Sequence, residues 1–253
     1  MGKVIAVANQ KGGVGKTTTC VNLCGYLSRM GHNSLLVDID PQGNASSGLG
    51  VDAHESDRTI YEVLLQELSM SETIVNTSVP GLAVLPANVH LSGIEVDMLS
   101  MENREYILKG AMEQVKSSYE YVFIDCPPNL GILTLNALCA ADSVLITLQT
   151  EYYALEGLTQ LMKVINLVQQ ELNPSLTLEG VVLTMFDGRT TLAQQVVEDV
   201  RGHFKDSVYE SVIPRNVRLS EAPSYGKFIG DYASDSTGAH AYEKLAQEVV
   251  ARG

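Results

Sequence analysis

Short apolar runs alternate with amphipathic stretches along most of this chain. The apolar runs are rich in Val, Ile and Leu and stop at Asp, Pro or a polar turn, which is typical of strands buried on both faces of a sheet. They lie at residues 4–8, 34–37, 82–85, 121–124, 144–148, 181–185 and 208–213. Apolar residues that recur every three or four positions predict helices at 103–117, 133–140, 192–204 and 239–250, with others after residue 16, after residue 59 and around 158–168.

This alternation continues from end to end, without a Ser/Pro-rich linker or an internal repeat. It predicts one domain over residues 1–253, built as a doubly wound α/β fold with a single, mainly parallel sheet flanked by helices. An apolar content of 45% is sufficient for a large core. No apolar run approaches the roughly 18 residues of a membrane span, and the first residues lack a signal-peptide pattern. We therefore expect a cytoplasmic protein that does not associate with membranes.

The strongest chemical signal follows the first predicted strand, where residues 9–18 read N-Q-K-G-G-V-G-K-T-T. Strand, glycine loop and helix in this order favour a phosphate-binding loop, because glycine lets backbone N–H groups turn onto phosphate oxygens and the helix N-terminus adds more. Lys16 is expected to reach the terminal phosphates, and the Thr17 hydroxyl to ligate Mg²⁺. The predicted phosphate-binding residues are Lys11, Gly12, Gly13, Val14, Gly15, Lys16, Thr17 and Thr18.

Aspartates follow two of the other predicted strands. Asp38 and Asp40 come after the strand at 34–37, and Asp125 ends the strand at 121–124. The carboxyl ends of parallel strands form the edge where open α/β sheets bind ligands, so these carboxylates are expected near the phosphate loop. Asp125 has the Walker B arrangement, a buried strand that presents a carboxylate to Mg²⁺. The sequence therefore predicts a magnesium site formed by Thr17, Asp40 and Asp125, whereas turn capping is the alternative role for Asp38 and Asp40.

The loop is not a standard Walker A motif, since Gln10 stands where glycine is required and Lys11 is a second lysine. Its K-G-G-x-G-K-T-T form resembles the deviant Walker A loop of the ParA/MinD family of ATPases. D-I-D-P-Q-G-N at 38–44 resembles the first switch of that family, and E-Y-Y-A-L-E-G at 151–157 resembles its chromosomal ParA branch, also called Soj. The resemblance extends over about residues 2–250 and implies a P-loop fold.

The resemblance also implies a mechanism. ATP hydrolysis would be slow, Mg²⁺-dependent and stimulated by a partner, within a homodimer that closes over two nucleotides. Lys11 would reach the partner subunit's phosphates like an arginine finger, next to Lys16, Asp40 and Asp125 as the other catalytic residues. Asp40 would position or activate the attacking water. The turn after the strand at 208–213 would contact adenine through Pro214 and Asn216.

What the hydrolysis cycle drives is a separate question. A net charge of −13, from 17 basic and 30 acidic residues, argues against a surface that is generally coated by nucleic acid. The Soj resemblance nevertheless implies that the ATP-bound dimer binds duplex DNA without sequence preference and associates with the nucleoid. It also implies that a ParB/Spo0J-type protein stimulates ATP hydrolysis. By the same resemblance, Arg189 and Arg218 match positions of the Soj branch that contact the phosphate backbone of DNA. The loop at 233–238 has an acid and no base, which predicts a lower affinity for DNA.

Three other functions deserve comparison. A MinD-like membrane-associated ATPase is the main alternative, but residues 247–253 are too few and too acidic for the basic amphipathic helix that would lie on lipid. The nitrogenase iron protein holds its cluster through cysteines that lie much further apart than Cys126 and Cys139, which argues against a redox role. A nucleotide-sensing scaffold with negligible turnover is separated from a slow ATPase only by a hydrolysis assay.

Overall fold

Eight strands form one sheet in the part of the chain that the computed structural model describes, residues 2–152 and 154–253. The strands are β1 Lys3–Ala8, β2 Ser34–Asp38, β3 Val75–Asn76, β4 Leu82–Leu85, β5 Tyr121–Asp125, β6 Ser143–Gln149, β7 Thr177–Phe186 and β8 Val208–Pro214. Their order is β3-β4-β2-β5-β1-β6-β7-β8. All neighbours pair in parallel except β3 and β4. The predicted doubly wound, mainly parallel sheet is therefore confirmed, and Tyr153 of the E-Y-Y-A-L-E-G motif lies outside the described residues.

Helices cover both faces of this sheet. They are α1 Lys16–Arg29, α2 Asn44–Gly48, α3 Ile60–Leu64, α4 Met70–Thr73, α5 Ile94–Asp97, α6 Ile107–Met112, α7 Ile132–Ala140, α8 Ala154–Glu171, α9 Thr191–Phe204, α10 Val217–Glu221, α11 Ile229–Tyr232 and α12 Thr237–Arg252. Short 3₁₀ turns lie between several of them. Within the described residues, no helix combines the length and the apolar character that a membrane crossing requires.

The continuous apolar runs of the strands are explained by two cores, one on each face of the sheet. Successive side chains of a strand point to opposite faces, so Val4 and Ala6 of β1 join one cluster whereas Ile5 and Val7 join the other. The first cluster lies under α3 and α5–α9, and the second lies under α1 and α12. Both faces of β1 are thus dry, and the loop that follows it starts from a rigid support.

The helix predicted at 103–117 is wrong in its extent. The structure instead has a 3₁₀ turn at Arg104–Tyr106, the short α6, and a second 3₁₀ turn at Lys116–Ser118. Asn103 has a left-handed backbone with φ of 52°, and Gly110 weakens the middle of the segment as a helix. The apolar spacing still identified the buried side, since Ile107 and Leu108 are in the core.

The topology places the end of β1 at the switch point of the sheet. β1 lies between β5 and β6. The chain continues from β1 to β2 on one side of β1, and from β6 to β7 and β8 on the other side. A crevice forms where the connections diverge, and open α/β sheets bind their ligands there. The phosphate loop and the end of β5 with Asp125 meet at this crevice, because Val7 of β1 pairs with Asp125 of β5.

Candidate nucleotide-binding site

The glycine loop between β1 and α1 is tied down by buried polar side chains. Asn9 accepts a hydrogen bond from the Lys11 N–H at 2.9 Å and donates one to the Thr147 carbonyl of β6 at 2.6 Å. Further along, the Thr184 hydroxyl of β7 donates to the Val14 carbonyl at 2.8 Å. The ends of two neighbouring strands therefore fix both halves of the loop before any ligand binds.

The backbone of the loop adopts a conformation that needs glycine. Gly13 and Gly15 have φ values of 73° and 89°, in the left-handed region that residues with a Cβ rarely adopt. Gly15 is also the N-cap of α1, and no side chain caps this helix end. The first N–H groups of α1 are consequently available to an anion, which the helix dipole also favours.

The two lysines of the loop lie in different environments. Lys16 is only 6% exposed, and its Nζ donates to the Lys11 carbonyl at 3.1 Å inside the crevice. Burial lowers the Lys16 pKa, while the nearby carboxylate of Asp125 opposes that change. The Lys11 side chain is 55% exposed and pairs with Glu151 at 3.0 Å. The Lys16 side chain therefore lies in the crevice, whereas Lys11 does not line it.

Three carboxylates gather at the ends of β2 and β5. Asp38 and Asp125 are directly opposite in the strand register, and both are fully buried. Asp38 is satisfied by the protein, because it accepts bonds from the N–H and hydroxyl of Ser46 at 2.9 and 2.7 Å. Asp40 accepts a bond from the Gln42 N–H at 2.9 Å and is 8% exposed. The capping role considered for Asp38 is therefore present, and it holds the start of α2.

One carboxylate oxygen of Asp125 lacks a hydrogen-bond partner among the described residues. Its Oδ1 receives only a weak bond from the Cys20 thiol at 3.6 Å, and its Oδ2 has no hydrogen-bond partner among the described residues. Burial, and after it the charge of Asp38, raises the pKa of Asp125 to about 8, although Thr17 and Lys16 act in the opposite direction. A buried, unpartnered carboxylate oxygen is costly unless a ligand pairs with it.

This arrangement fits Mg²⁺. The ion keeps several waters and is usually bound through one or two carboxylates together with substrate phosphates, so a cage made only of protein ligands is not required. The unpartnered Oδ2 of Asp125, the neighbouring Thr17 hydroxyl and Asp40 are oxygen donors of the appropriate kind. Within residues 2–152 and 154–253, no group of three or more His, Cys, Asp or Glu side chains suggests a different metal centre.

The loop forms the floor of a cleft of about 660 Å³. One wall contains Asp40 and Gln42 of the loop after β2, and another contains Pro127 and Pro128 after β5. The residues lining the cleft include Gly12, Gly13, Gly15, Lys16, Thr17, Thr18, Asp40, Leu91, Glu95, Pro128 and Met185. Sequence analysis missed the contributions of 91–95 and of Met185. The first lies in a stretch without clear periodicity, and the second is a strand residue with an unusual φ of 52°.

Comparisons with known proteins agree with this geometry. Residues 2–178 match the family model described as "AAA domain". The sporulation initiation inhibitor protein Soj of Bacillus subtilis is 54% identical over 253 residues, which is the full length of both chains. The chromosome partitioning protein ParA of Caulobacter vibrioides is 52% identical over 252 residues, covering 99% of this chain and 94% of that one. The chain belongs to the ParA/Soj family of deviant P-loop ATPases.

A solved structure has the same fold and contains a nucleotide analogue and a metal ion. The protein described as cobyrinic acid a,c-diamide synthase from Mycobacterium smegmatis, with a bound ATP analogue and magnesium, is 39% identical and superimposes with a TM-score of 0.86. The match covers 99% of this chain and 95% of that chain. The resemblance to the ParA family inferred from the loop and switch motifs is confirmed by the full-length Soj and ParA relatives.

The two residues predicted to contact adenine in this ParA/Soj chain do not line the cleft. Pro214 pairs with Phe186 at the end of β7, next to Met185, which does line the cleft. Asn216 instead caps α10, where its Oδ1 accepts from the Arg218 N–H at 2.8 Å, and its amide donates to Thr237 at 2.7 Å. An adenine role for Pro214 and Asn216 stays a prediction.

The two arginines predicted to contact DNA are exposed but already paired. Arg189 forms a two-pronged contact with Asp187 of the same loop, at 2.8 and 2.7 Å, and its side chain is 88% exposed. These bonds hold the pKa of Asp187 at about 2, below its ordinary value. Arg218 pairs with Glu221 at 2.8 Å. DNA contact by Arg189 and Arg218 stays a prediction, and it requires both arginines to exchange a carboxylate for a phosphate.

Proposed function

We propose that this protein is an ATP-dependent dimerising ATPase that binds duplex DNA without sequence preference and acts in chromosome or plasmid partition. Residues 1–253 would form one ATPase domain, active in the cytoplasm on the nucleoid. The main support for the proposal is the different burial of the two loop lysines. Lys16 is buried in the cleft, whereas Lys11 is exposed and does not line it. The presence of a second lysine that does not reach the cleft of its own subunit is explained if Lys11 acts on a nucleotide bound to another subunit.

The residues of the cleft divide the work of phosphoryl transfer. The loop backbone and Lys16 bind the phosphates of ATP, and Thr17, Asp40 and Asp125 hold Mg²⁺, which supplies charge neutralisation on the phosphate oxygens. Asp40 positions or activates the attacking water. Lys11 of the partner subunit stabilises the charge that develops in the transition state. The active site is complete only in the dimer, so turnover of the isolated subunit is slow.

Dimerisation explains how ATP controls DNA binding. Each subunit offers only a weak patch that contains Arg189 and Arg218, within a chain of net charge −13. Two linked patches bind far more tightly than one, because the second contact becomes intramolecular. Hydrolysis separates the patches and releases DNA. A ParB/Spo0J-type protein with a basic segment fits the acidic surface as the stimulating partner.

Binding of random-sequence duplex DNA to the Asp40→Ala variant tests this proposal, because loss of Asp40 keeps ATP intact. Fluorescence anisotropy should detect binding with ATP and Mg²⁺ but not with ADP. The affinity should fall by at least about tenfold between roughly 50 and 200 mM salt, since phosphate contacts release counterions. The variants Arg189→Ala and Arg218→Ala should weaken binding on every sequence alike. Absence of any ATP-dependent binding at low salt would contradict the DNA-binding part of the proposal.

A further inference from the structure

The exposed lysine of the loop is held by one carboxylate of its own subunit. Lys11 Nζ lies 3.0 Å from Glu151 Oε2, and the two side chains are 55% and 46% exposed. The other carboxylate oxygen accepts a bond from the Gln149 amide and lies 3.8 Å from the Arg215 guanidinium. Glu151 thus joins the ends of β6 and β8 to the phosphate loop.

Hydrogen bonds with buried groups hold the backbone near both residues of the Lys11–Glu151 ion pair. The Lys11 N–H is bound by the buried side chain of Asn9. On the other side, the Glu151 N–H donates to the Gln149 carbonyl at 2.8 Å, and the N–H of buried Thr150 donates to the Thr184 carbonyl at 3.1 Å. The backbone positions of the two residues are therefore properties of the fold, and the ion pair is present in the single subunit.

We infer that Glu151 is a positioning residue that holds Lys11 on its own subunit until the phosphates of a partner's nucleotide replace the carboxylate. This inference rests on the proposed action of Lys11 across the dimer. A carboxylate and a triphosphate compete for the same ammonium group, and the more highly charged triphosphate forms the stronger charge-assisted bonds. Glu151 does not line the nucleotide cleft of its own subunit, so its effect is on assembly and not on binding of the first nucleotide.

The size of the effect follows from the exposure of the pair. Exposed ion pairs typically change an equilibrium by about two- to fivefold. A symmetric dimer must break two such pairs, so their removal should tighten the dimer by about four- to 25-fold. The effect should shrink in about 1 M salt, where charges are screened beyond roughly 3 Å.

The ion pair can be tested in the isolated subunit by amine labelling of Lys11, followed by mass spectrometry. Glu151→Gln should label Lys11 at least about twofold faster than the original protein without nucleotide, while exposed Lys163 labels at an unchanged rate in the same sample. Arg215→Gln removes the other cation near Glu151 and should not speed Lys11 labelling. Unchanged Lys11 labelling in Glu151→Gln would overturn the inference.

The consequence for assembly can be measured by analytical ultracentrifugation with ATP and Mg²⁺ in the Asp40→Ala background. Adding Glu151→Gln should tighten the dimer by about four- to 25-fold, whereas Glu171→Gln, an exposed charge at the far end of α8, should change nothing. An unchanged or weakened dimer would overturn the role of Glu151 alone, provided that Lys11→Ala still impairs dimerisation. Normal dimers of Lys11→Ala would overturn the action of Lys11 across the dimer, and with it this inference.

Discussion

Burial gives similar side chains in the cleft different chemistry. Asp38 and Asp125 face each other in the interior, but Asp38 is satisfied by Ser46 whereas Asp125 keeps an unpartnered oxygen. Burial raises the pKa of Asp38 to about 6 and, together with the charge of Asp38, that of Asp125 to about 8. In the free subunit, burial and the charge of Asp38 therefore destabilise the ionised form of Asp125. Binding of Mg²⁺ at this position would stabilise that form.

We expect a pH dependence of stability from this pair of carboxyl groups. Without nucleotide and metal, the folded chain keeps protons that unfolded aspartates have lost, so the free energy of unfolding should fall as the pH rises from about 5 to about 8. The slope is at most about 1.4 kcal/mol per pH unit for each proton. Asp125→Asn should flatten it, as measured by urea unfolding in EDTA. Equal slopes in the two proteins would contradict the raised pKa of Asp125.

At the scale of elements, close contacts between helices keep the loop and α1 in place. α1 packs against α11 and α12, and Gly25 of α1 allows the ring of Phe228 to approach its backbone. A Cβ at position 25 would lie 2.5 Å from that ring. Phe228 is fully buried and also packs edge-on against Tyr26 at 5.4 Å. The direction of α1, and with it the open helix end at the phosphate loop, depends on this contact.

Gly25→Ala should therefore destabilise the protein, although alanine is the better helix former. Overpacking against Phe228 is expected to lower the free energy of unfolding by about 1–3 kcal/mol. Gly110→Ala is the matched control, because a Cβ there meets no atom within 4 Å. That variant should raise stability by up to about 1 kcal/mol. Urea denaturation compares the two, and equal effects would show that the Phe228 contact is unimportant.

Local sequence patterns predicted the strands and helices that are marked by residues within the element itself. The β1–loop–α1 unit, β5 with Asp125, and the helix capped by Thr59 were all identified, because apolar runs, glycines and caps act over a few residues. β3 was missed because its two residues are exposed and carry no apolar pattern. The divided segment around α6 was missed because a periodic apolar side does not require a continuous helix.

Contacts between distant parts of the chain could not be predicted in this way. The Thr184 hydroxyl supports the Val14 carbonyl across 170 positions, and Glu151 pairs with Lys11 across 140 positions. No local sequence pattern marks either contact, since both depend on β6 and β7 following β1 in the order of the sheet. Sequence analysis consequently named the residues of the phosphate loop but not those that fix its shape or hold its second lysine.

For the whole molecule, the proposed dimer makes the cleft one half of an active site shared by two subunits. Gly12 lies on its floor, and a Cβ there would meet only Pro128, at an ordinary 3.8 Å. The subunit itself thus has room for a Cβ at position 12. Glycine at this position is explained if another subunit must approach the loop closely.

Gly12→Val should separate nucleotide binding from assembly. Nucleotide affinity of the subunit should stay within about twofold, as the family resemblance implies and as the ordinary 3.8 Å contact of a Cβ with Pro128 allows. The family resemblance implies that dimer formation with ATP should be lost, because bulk at position 12 would stop the second subunit from docking. Calorimetry of nucleotide binding and analytical ultracentrifugation measure the two effects. Normal ATP-dependent dimers would contradict the closed arrangement.

ATP hydrolysis in a mixture of two inactive variants, Lys11→Ala and Asp40→Ala, tests whether Lys11 acts across the dimer. Each should be inactive alone, since one lacks the lysine supplied to its partner and the other lacks its own water-positioning carboxylate. A mixed dimer contains one complete site, in the Lys11→Ala subunit. Activity should return on mixing to roughly a quarter of the original value, because half of the dimers are mixed and half of their sites are complete. No recovery, despite mixed dimers, would contradict the claim that Lys11 acts across the dimer.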